Sequence, residues 1–172
     1  VWGRARAHFT LVFMTAEEIK ALLHLVPLEL EGGYFSETYR AAGMIPHSAL
    51  PAAYRSARNY STAIYFLLTP DTFSAMHRLP SDEVFHFYLG DPVEMFQIMP
   101  DGSATTRILG NDLLRGQSPQ IVVPGDHWQG ARLAEGGQWA LLGTTVAPGF
   151  DYADYEHGVR AKLVAEFPQH AE

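Results

Sequence analysis

The sequence predicts an all-β fold, a sandwich or jelly-roll barrel with a short helix at each end. Three observations carry this. At 172 residues the chain has the length of one domain. Between about residues 28 and 148, short alternating or apolar stretches are broken by Gly, Pro, Asp and Asn, the pattern of many strands. Helical spacing of apolar residues occurs only near the two ends. No linker, repeat or charge block marks a second unit, so residues 15–172 read as a single domain. Residues 1–14 then form a flexible N-terminal extension, of which 1–13 are a remnant of expression or of an upstream start.

The first helix is expected over 16–25. Thr15 and Glu18 form a capping box, in which each side chain satisfies an amide that the first turn leaves free. Ile19, Leu22, Leu23 and Val26 follow at helical spacing, and Pro27 ends the run. Strands are expected at 34–40, 61–69, 73–79, 83–89, 93–99, 104–110, 119–123, 128–134 and 138–146. Gly90-Asp91-Pro92, Pro100-Asp101-Gly102 and Glu135-Gly136-Gly137 supply turn residues between them, with a preset or a positive φ. The second helix is expected to start near Asp154 and to run through Val159, Leu163 and Phe167 to Pro168.

Composition removes several function classes. A formal charge of −7 disfavours the clustered Lys and Arg of a nucleic-acid footprint, so no nucleic-acid partner is expected. The absence of Cys excludes disulfides, thiolate nucleophiles and Cys-held zinc or iron–sulfur clusters. Apolar stretches such as Ala63–Leu68 fall far short of the roughly 20 residues of a membrane span, so no membrane partner is expected. The first ten residues make a weak signal peptide, and the expected location is cytoplasmic.

The chemistry concentrates near His77. A side-chain period of two puts Phe73, Ala75, His77 and Leu79 on one face and Glu83, Phe85, Phe87 and Leu89 on one face of the next strand. With both faces turned inward, His77 and Glu83 meet in a mostly apolar interior, the usual form of a small-molecule site. His86 falls on the opposite face with Val84 and Tyr88.

Here the chain resembles the cupin superfamily. His77, position 79, Glu83 and Gly90 have the spacing of the first cupin motif, and Pro124-Gly-Asp-His-Trp-Gln129 loosely matches the second. Leu79 stands where the family carries a second His, and Gln129 where it carries a third. The strings Glu31–Arg40, His77–Tyr88, Trp128–Arg132 and Ala147–Asp151 look like the Cupin_5 type family, whose biochemical role is unsettled. The resemblance implies a double-stranded β-helix and a homodimer. Gly33-Tyr-Phe-Ser-Glu37 is also similar to the substrate-binding strand of dTDP-4-dehydrorhamnose 3,5-epimerase type cupins. That similarity puts Phe35 and Glu37 on the ligand and makes His77 a general base, with Glu83, Asp151 or Asp154 to orient it. The chain departs from these epimerases at Gly32 and Ser74, and their proton-donating Tyr falls near Leu142.

These residues imply a carbohydrate-like small-molecule partner, with His77 and Glu83 catalytic and Phe35, Glu37, Tyr39, Tyr65, Phe85 and Gln129 in contact with the ligand. An isomerase or epimerase comes first, a binding or storage cupin without turnover second. A metal-dependent oxygenase or lyase comes last, because only His77, Glu83 and Gln129 remain to hold a divalent ion; the expected cofactor is none or that ion.

Overall fold

The computed structural model describes residues 14–171, so the expectation for the N-terminal extension lies almost wholly outside the described residues. In chain order the elements are α1 (Ala16–Leu23), β1 (Val26–Pro27), β2 (Tyr34–Arg40), β3 (Met44–Ile45), β4 (Arg58–Asn59), β5 (Thr62–Leu68), β6 (Phe73–Arg78) and β7 (Asp82–Gly90). There follow β8 (Val93–Ile98), β9 (Ala104–Leu109), β10 (Gln120–Val123), β11 (Trp128–Leu133), β12 (Ala140–Ala147), β13 (Glu156–His157) and α2 (Arg160–Glu166). Every long strand expected from the sequence is present within two residues at each end. The two-residue strands β1, β3, β4 and β13 are additional, and pairings that short leave no periodic signal.

The named strands pair antiparallel among the described residues, beside one isolated parallel bridge between Leu109 and Ser118. Among the described residues β3 pairs with β4 in a separate two-stranded sheet, and the large sheets have the orders β1-β2-β5-β12-β7-β10 and β13-β6-β11-β8-β9. Their inner faces meet in a core that includes Phe66, Leu68, Phe85, Ile121 and Leu142 from the first sheet and Val93, Met95, Leu109 and Ala131 from the second. This is the all-β jelly-roll architecture expected of the chain, with one helix packed outside each sheet. Helix α1 lays Ile19 on Leu67 and Leu141. Helix α2 lays Leu163 and Phe167 near Ile98 and Trp128. None of the helices among the described residues is long and apolar enough to cross a membrane.

The capping box forms as expected: Glu18 N–H donates to Thr15 Oγ1 at 3.2 Å and Thr15 N–H to Glu18 Oε2 at 2.8 Å. The helix stops at Leu23, two residues early, because His24 turns left-handed at φ 53° and returns its N–H to the Lys20 carbonyl. The second helix begins at Arg160 rather than Asp154. Residues 152–154 form a single 3₁₀ turn, and Glu156–His157 pair with β6 as a strand. Gly158 N–H donates to Met76 O at 2.6 Å, and a Cβ at Gly158 would sit 2.6 Å from that oxygen. This seam against β6 holds the chain extended until it is passed.

Three β-bulges change which side chains face inward. Each inserts one extra residue and reverses the alternation beyond it. In β2, Glu37 pairs with Ile64 but Tyr39 with Ala63, so Thr38 is the extra residue. In β6, His77 pairs with Gln129 but Ser74 with Ala131. In β7, Phe87 pairs with Leu142 but Leu89 with Leu141. The expected inward faces are corrected accordingly: Phe73 is 60% exposed and Leu89 46% exposed, whereas Ser74 and His77 are both buried. His86 does face outward, stacking with Tyr88 at 6.3 Å between ring centres.

Candidate functional site

A cavity of about 350 Å³ opens between β2, β5 and the inner ends of β6, β7 and β12, a size within the usual range of small-molecule sites. Its apolar walls come from residues such as Leu28, Ile64, Leu79 and Val146, and its charged groups come from Glu31, Glu37, Arg40, His77, Glu83 and Asp151.

The β6 bulge builds the deep end. Ala75 N–H donates to the Glu31 carbonyl at 2.7 Å, which draws the Glu31-Gly32 turn onto β6. Gly32 has φ +100°, and a Cβ there would lie 2.2 Å from the Phe73 carbonyl oxygen, so this approach requires glycine. The Ala75 carbonyl accepts from His77 Nδ1 at 2.8 Å. A carbonyl only accepts, so Nδ1 carries a proton and Nε2 is the nitrogen that faces the site. His77 Nε2 lies 3.9 Å from Glu31 Oε2 and 3.9 Å from Glu83 Oε2. Glu31 is held by Ser74, whose hydroxyl donates to Oε1 at 2.6 Å. Glu83 is held by Gln129, whose Nε2 donates to Oε2 at 2.6 Å. The Tyr155 ring stacks on the imidazole at 5.2 Å and 21°, and its buried hydroxyl has no hydrogen-bond partner among the described residues.

Burial opposes the charge on His77, but the carboxylates of Glu31 and then Glu83, with the Ala75 carbonyl, outweigh it and push the imidazole up to about 9. Burial raises Glu31 above the usual carboxylate range, helped by the charge of Glu83 and opposed by His77 and the Ser74 hydroxyl. Burial, then Glu31, Tyr152 and Glu83, raise Tyr155. At neutral pH His77 is therefore charged, with two carboxylates as neighbours. That suits it to donate a proton rather than abstract one.

The structure brings four of the expected site residues to the cavity wall: Phe35, Glu37, His77 and Glu83. Gln129 sits one layer behind, as the partner of Glu83. Three others do not reach it. Tyr39 is 55% exposed, because the bulge at Thr38 turns it outward and puts Arg40 on the wall in its place. Tyr65 alternates to the outer face of β5, against Tyr88 and α1. Phe85 does face inward, but it is 1% exposed in the intersheet core below the cavity floor. Neither Asp151 nor Asp154 orients His77: Asp151 lines the cavity and accepts from Ala153 N–H, while Asp154 is bound to Arg58.

Sequence reasoning passed over Glu31 and Tyr155. Glu31 precedes Gly32-Gly33, legible only as a turn, and Tyr155 lies in the stretch read as the start of a helix.

The residues available for a divalent ion do not form a matching donor set. Gln129 turns its amide N–H, not its oxygen, toward Glu83, and Leu79 brings an isobutyl group to the wall. Among the described residues no group of three or more His, Asp and Glu side chains is arranged to hold a metal. Elemental analysis of the purified protein is expected to find no stoichiometric divalent metal; a full equivalent that disappears in His77→Ala would overturn this.

Three comparisons place the chain. Residues 17–158 match the family Cupin_5, described as Cupin superfamily (DUF985). Uncharacterized protein YML079W of Saccharomyces cerevisiae is 29% identical over 133 residues, which cover 73% of this chain and 66% of the yeast protein. The chain thus spans slightly less than two thirds of that relative's length. Among solved structures, a hypothetical protein from Leishmania major superposes with a TM-score of 0.83 at 33% identity, covering 92% of this chain and 95% of the other. Protein SO0799 from Shewanella oneidensis gives 0.82 at 33%, covering 92% and 94%. Oxalate decarboxylase from Bacillus subtilis is similar in fold alone, at TM-score 0.52 and 14% identity, with 80% of this chain and 33% of that one covered. Structure and family match agree, and the chain belongs to the Cupin_5 family of the cupin superfamily.

Proposed function

We propose that the cavity binds a small carbohydrate-like molecule and moves a proton next to its carbonyl group, the chemistry of an isomerase or epimerase. The observation that carries this reading is the trio at the deep end, with His77 Nε2 at 3.9 Å from both Glu31 and Glu83. Burial and neighbours push the imidazole and the Glu31 carboxylate away from their ordinary values. Both groups are shifted upward, and perturbed titratable groups gathered in one cleft are a mark of acid–base chemistry.

The roles follow from the protonation states. Glu31 Oε2 removes a proton from the carbon next to the carbonyl, and the C–H electron pair becomes a carbon–carbon double bond. His77 Nε2 donates its proton to the carbonyl oxygen, so a neutral enediol forms beside neutral imidazole and protonated Glu31. Glu31 then returns its proton to the neighbouring, former carbonyl carbon while neutral His77 Nε2 takes the hydroxyl proton from the carbon that lost its hydrogen; the new carbonyl forms there, and both side chains regain their starting protonation. The Ala75 carbonyl keeps His77 in the orientation that points Nε2 at the substrate. The apolar walls exclude water, which strengthens each charge–dipole contact in the site.

The test is deuterium wash-in. A panel of aldoses and ketoses is incubated with the protein in heavy water and followed by proton NMR. Loss of a C–H signal next to a carbonyl is expected for at least one sugar, and Glu31→Gln is expected to slow it at least about a hundredfold, the scale of one general acid–base group. A sugar that binds and raises the melting temperature without any exchange would sink the enzymatic reading in favour of a binding cupin without turnover.

A further inference from the structure

The charge on the cavity wall is unbalanced. Glu31, Glu37, Glu83 and Asp151 supply four carboxylates, and Arg40 and His77 supply two cations. Arg40 is fully engaged at the mouth. Its Nε and Nη2 donate to Glu37 at 3.0 and 2.6 Å, and its Nη1 donates to Asn59 Oδ1 at 2.9 Å and to the Phe150 carbonyl at 3.3 Å. That guanidinium has no fork left for an anionic ligand. At the deep end one imidazolium stands between two carboxylates. Glu31 Oε2 and Glu83 Oε1 accept no hydrogen bond among the described residues, although Glu83 is only 7% exposed.

A buried site with this excess of negative charge gains from a further positive charge and resists a further negative one. Burial is the main cause of the raised proton affinity of Glu31, and the neighbouring charge of Glu83 adds to it. The apolar part of the wall adds a second feature. Phe35, Phe150, Tyr152 and Tyr155 all face the cavity, and Phe150 and Tyr152 meet edge to face at 5.0 Å. Ring faces beside carboxylates are the surroundings that hold an organic ammonium, through its charge and through its carbon frame.

We infer that the cavity selects organic cations: its ligand is a small amine-bearing molecule whose ammonium group lies against Glu31 and Glu83, with its carbon skeleton on the aromatic walls. This deepens the proposed function and rests on the cavity being the ligand site. It narrows the carbohydrate-like class to amino sugars and related amines, and it places sugar nucleotides and sugar acids outside the class.

Two series matched in size and differing in charge test it by isothermal titration at pH 7. One is glucosamine, glucose and glucuronate; the other is benzylamine, benzyl alcohol and benzoate. The amine is expected to bind at least about tenfold tighter than the alcohol in one series or both, and the acids are expected to give no heat. Glu83→Gln is expected to remove most of the amine's advantage, and Glu31→Gln serves if that variant fails to fold. An acid that binds as well as its amine, no binding by either amine, or an unchanged preference in a folded variant would overturn the inference. Amine-selective binding with no deuterium wash-in would instead overturn the proton-transfer reading and leave this one standing.

Discussion

Replacing Arg58 by Leu is expected to lower the melting temperature by about 10 °C, from a loss of about 3–5 kcal/mol. Arg58 and Asp154 are among the most buried charges in the molecule, with side chains 1% and 3% exposed. The guanidinium grips both carboxylate oxygens, Nε to Oδ2 at 2.6 Å and Nη2 to Oδ1 at 2.5 Å, and Nη1 also donates to the Ala57 carbonyl at 2.9 Å. With both charges in place the desolvation cost and the attraction roughly cancel. With one removed, the other is buried alone, and that uncompensated charge is the source of the loss.

The double variant Arg58→Leu/Asp154→Leu should therefore recover part of the stability that the single variant loses. A single variant that loses less than about 1 kcal/mol in chemical denaturation would show the pair to be dispensable. The effect should also reach the cavity. Asp154 is the last residue of the short turn that carries Tyr152 and Tyr155 to the wall, so a folded Arg58→Lys variant, which keeps the charge but loses the fork, should bind ligand more weakly than the wild-type protein does.

The second large effect is on pH dependence. The folded-state value for His77 is about 9 against 6.5 in a free imidazole. A raised value means that the folded state holds the proton more tightly than the unfolded one. The stabilisation is therefore complete below about pH 6.5 and is lost as pH rises through about 9. The gap corresponds to about 3 kcal/mol, on the scale of 1.36 kcal/mol per unit. Denaturation midpoints of the wild-type protein should fall between pH 6.5 and 9.5, and His77→Gln should flatten most of that slope. NMR titration of the ring gives the direct check. A His77 that titrates near its ordinary value would remove both the slope and the proton-donor role, and in Glu31→Gln the value should fall toward the ordinary one, since Glu31 is the foremost of the neighbours that raise it.

What the sequence by itself determined is where strands begin and end. Gly, Pro and Asp act on their own backbone, as at Gly90-Asp91-Pro92, and alternation acts between neighbours, so both are written locally. The capping box at Thr15 and the approach of His77 to Glu83 were legible for the same reason: a cap is set within one turn, and two strands joined by a tight connection bring their facing residues together. Tertiary structure alone decided which side chains face the cavity. A bulge is set by the hydrogen bonding to the partner strand, and nothing in the side chains of Thr38, Tyr88 or the Ala75-Met76 pair announces it. Each bulge reverses the alternation beyond it, which is why Tyr39 and Leu89 turned outward and Ser74 turned in. The same holds for Glu31 and Tyr155. Glu31 reaches His77 because its carbonyl accepts the amide of Ala75, and Tyr155 reaches it because β13 pairs with the edge of β6. Both contacts join distant parts of the chain through backbone groups that every residue carries, so no local pattern of side chains encodes them.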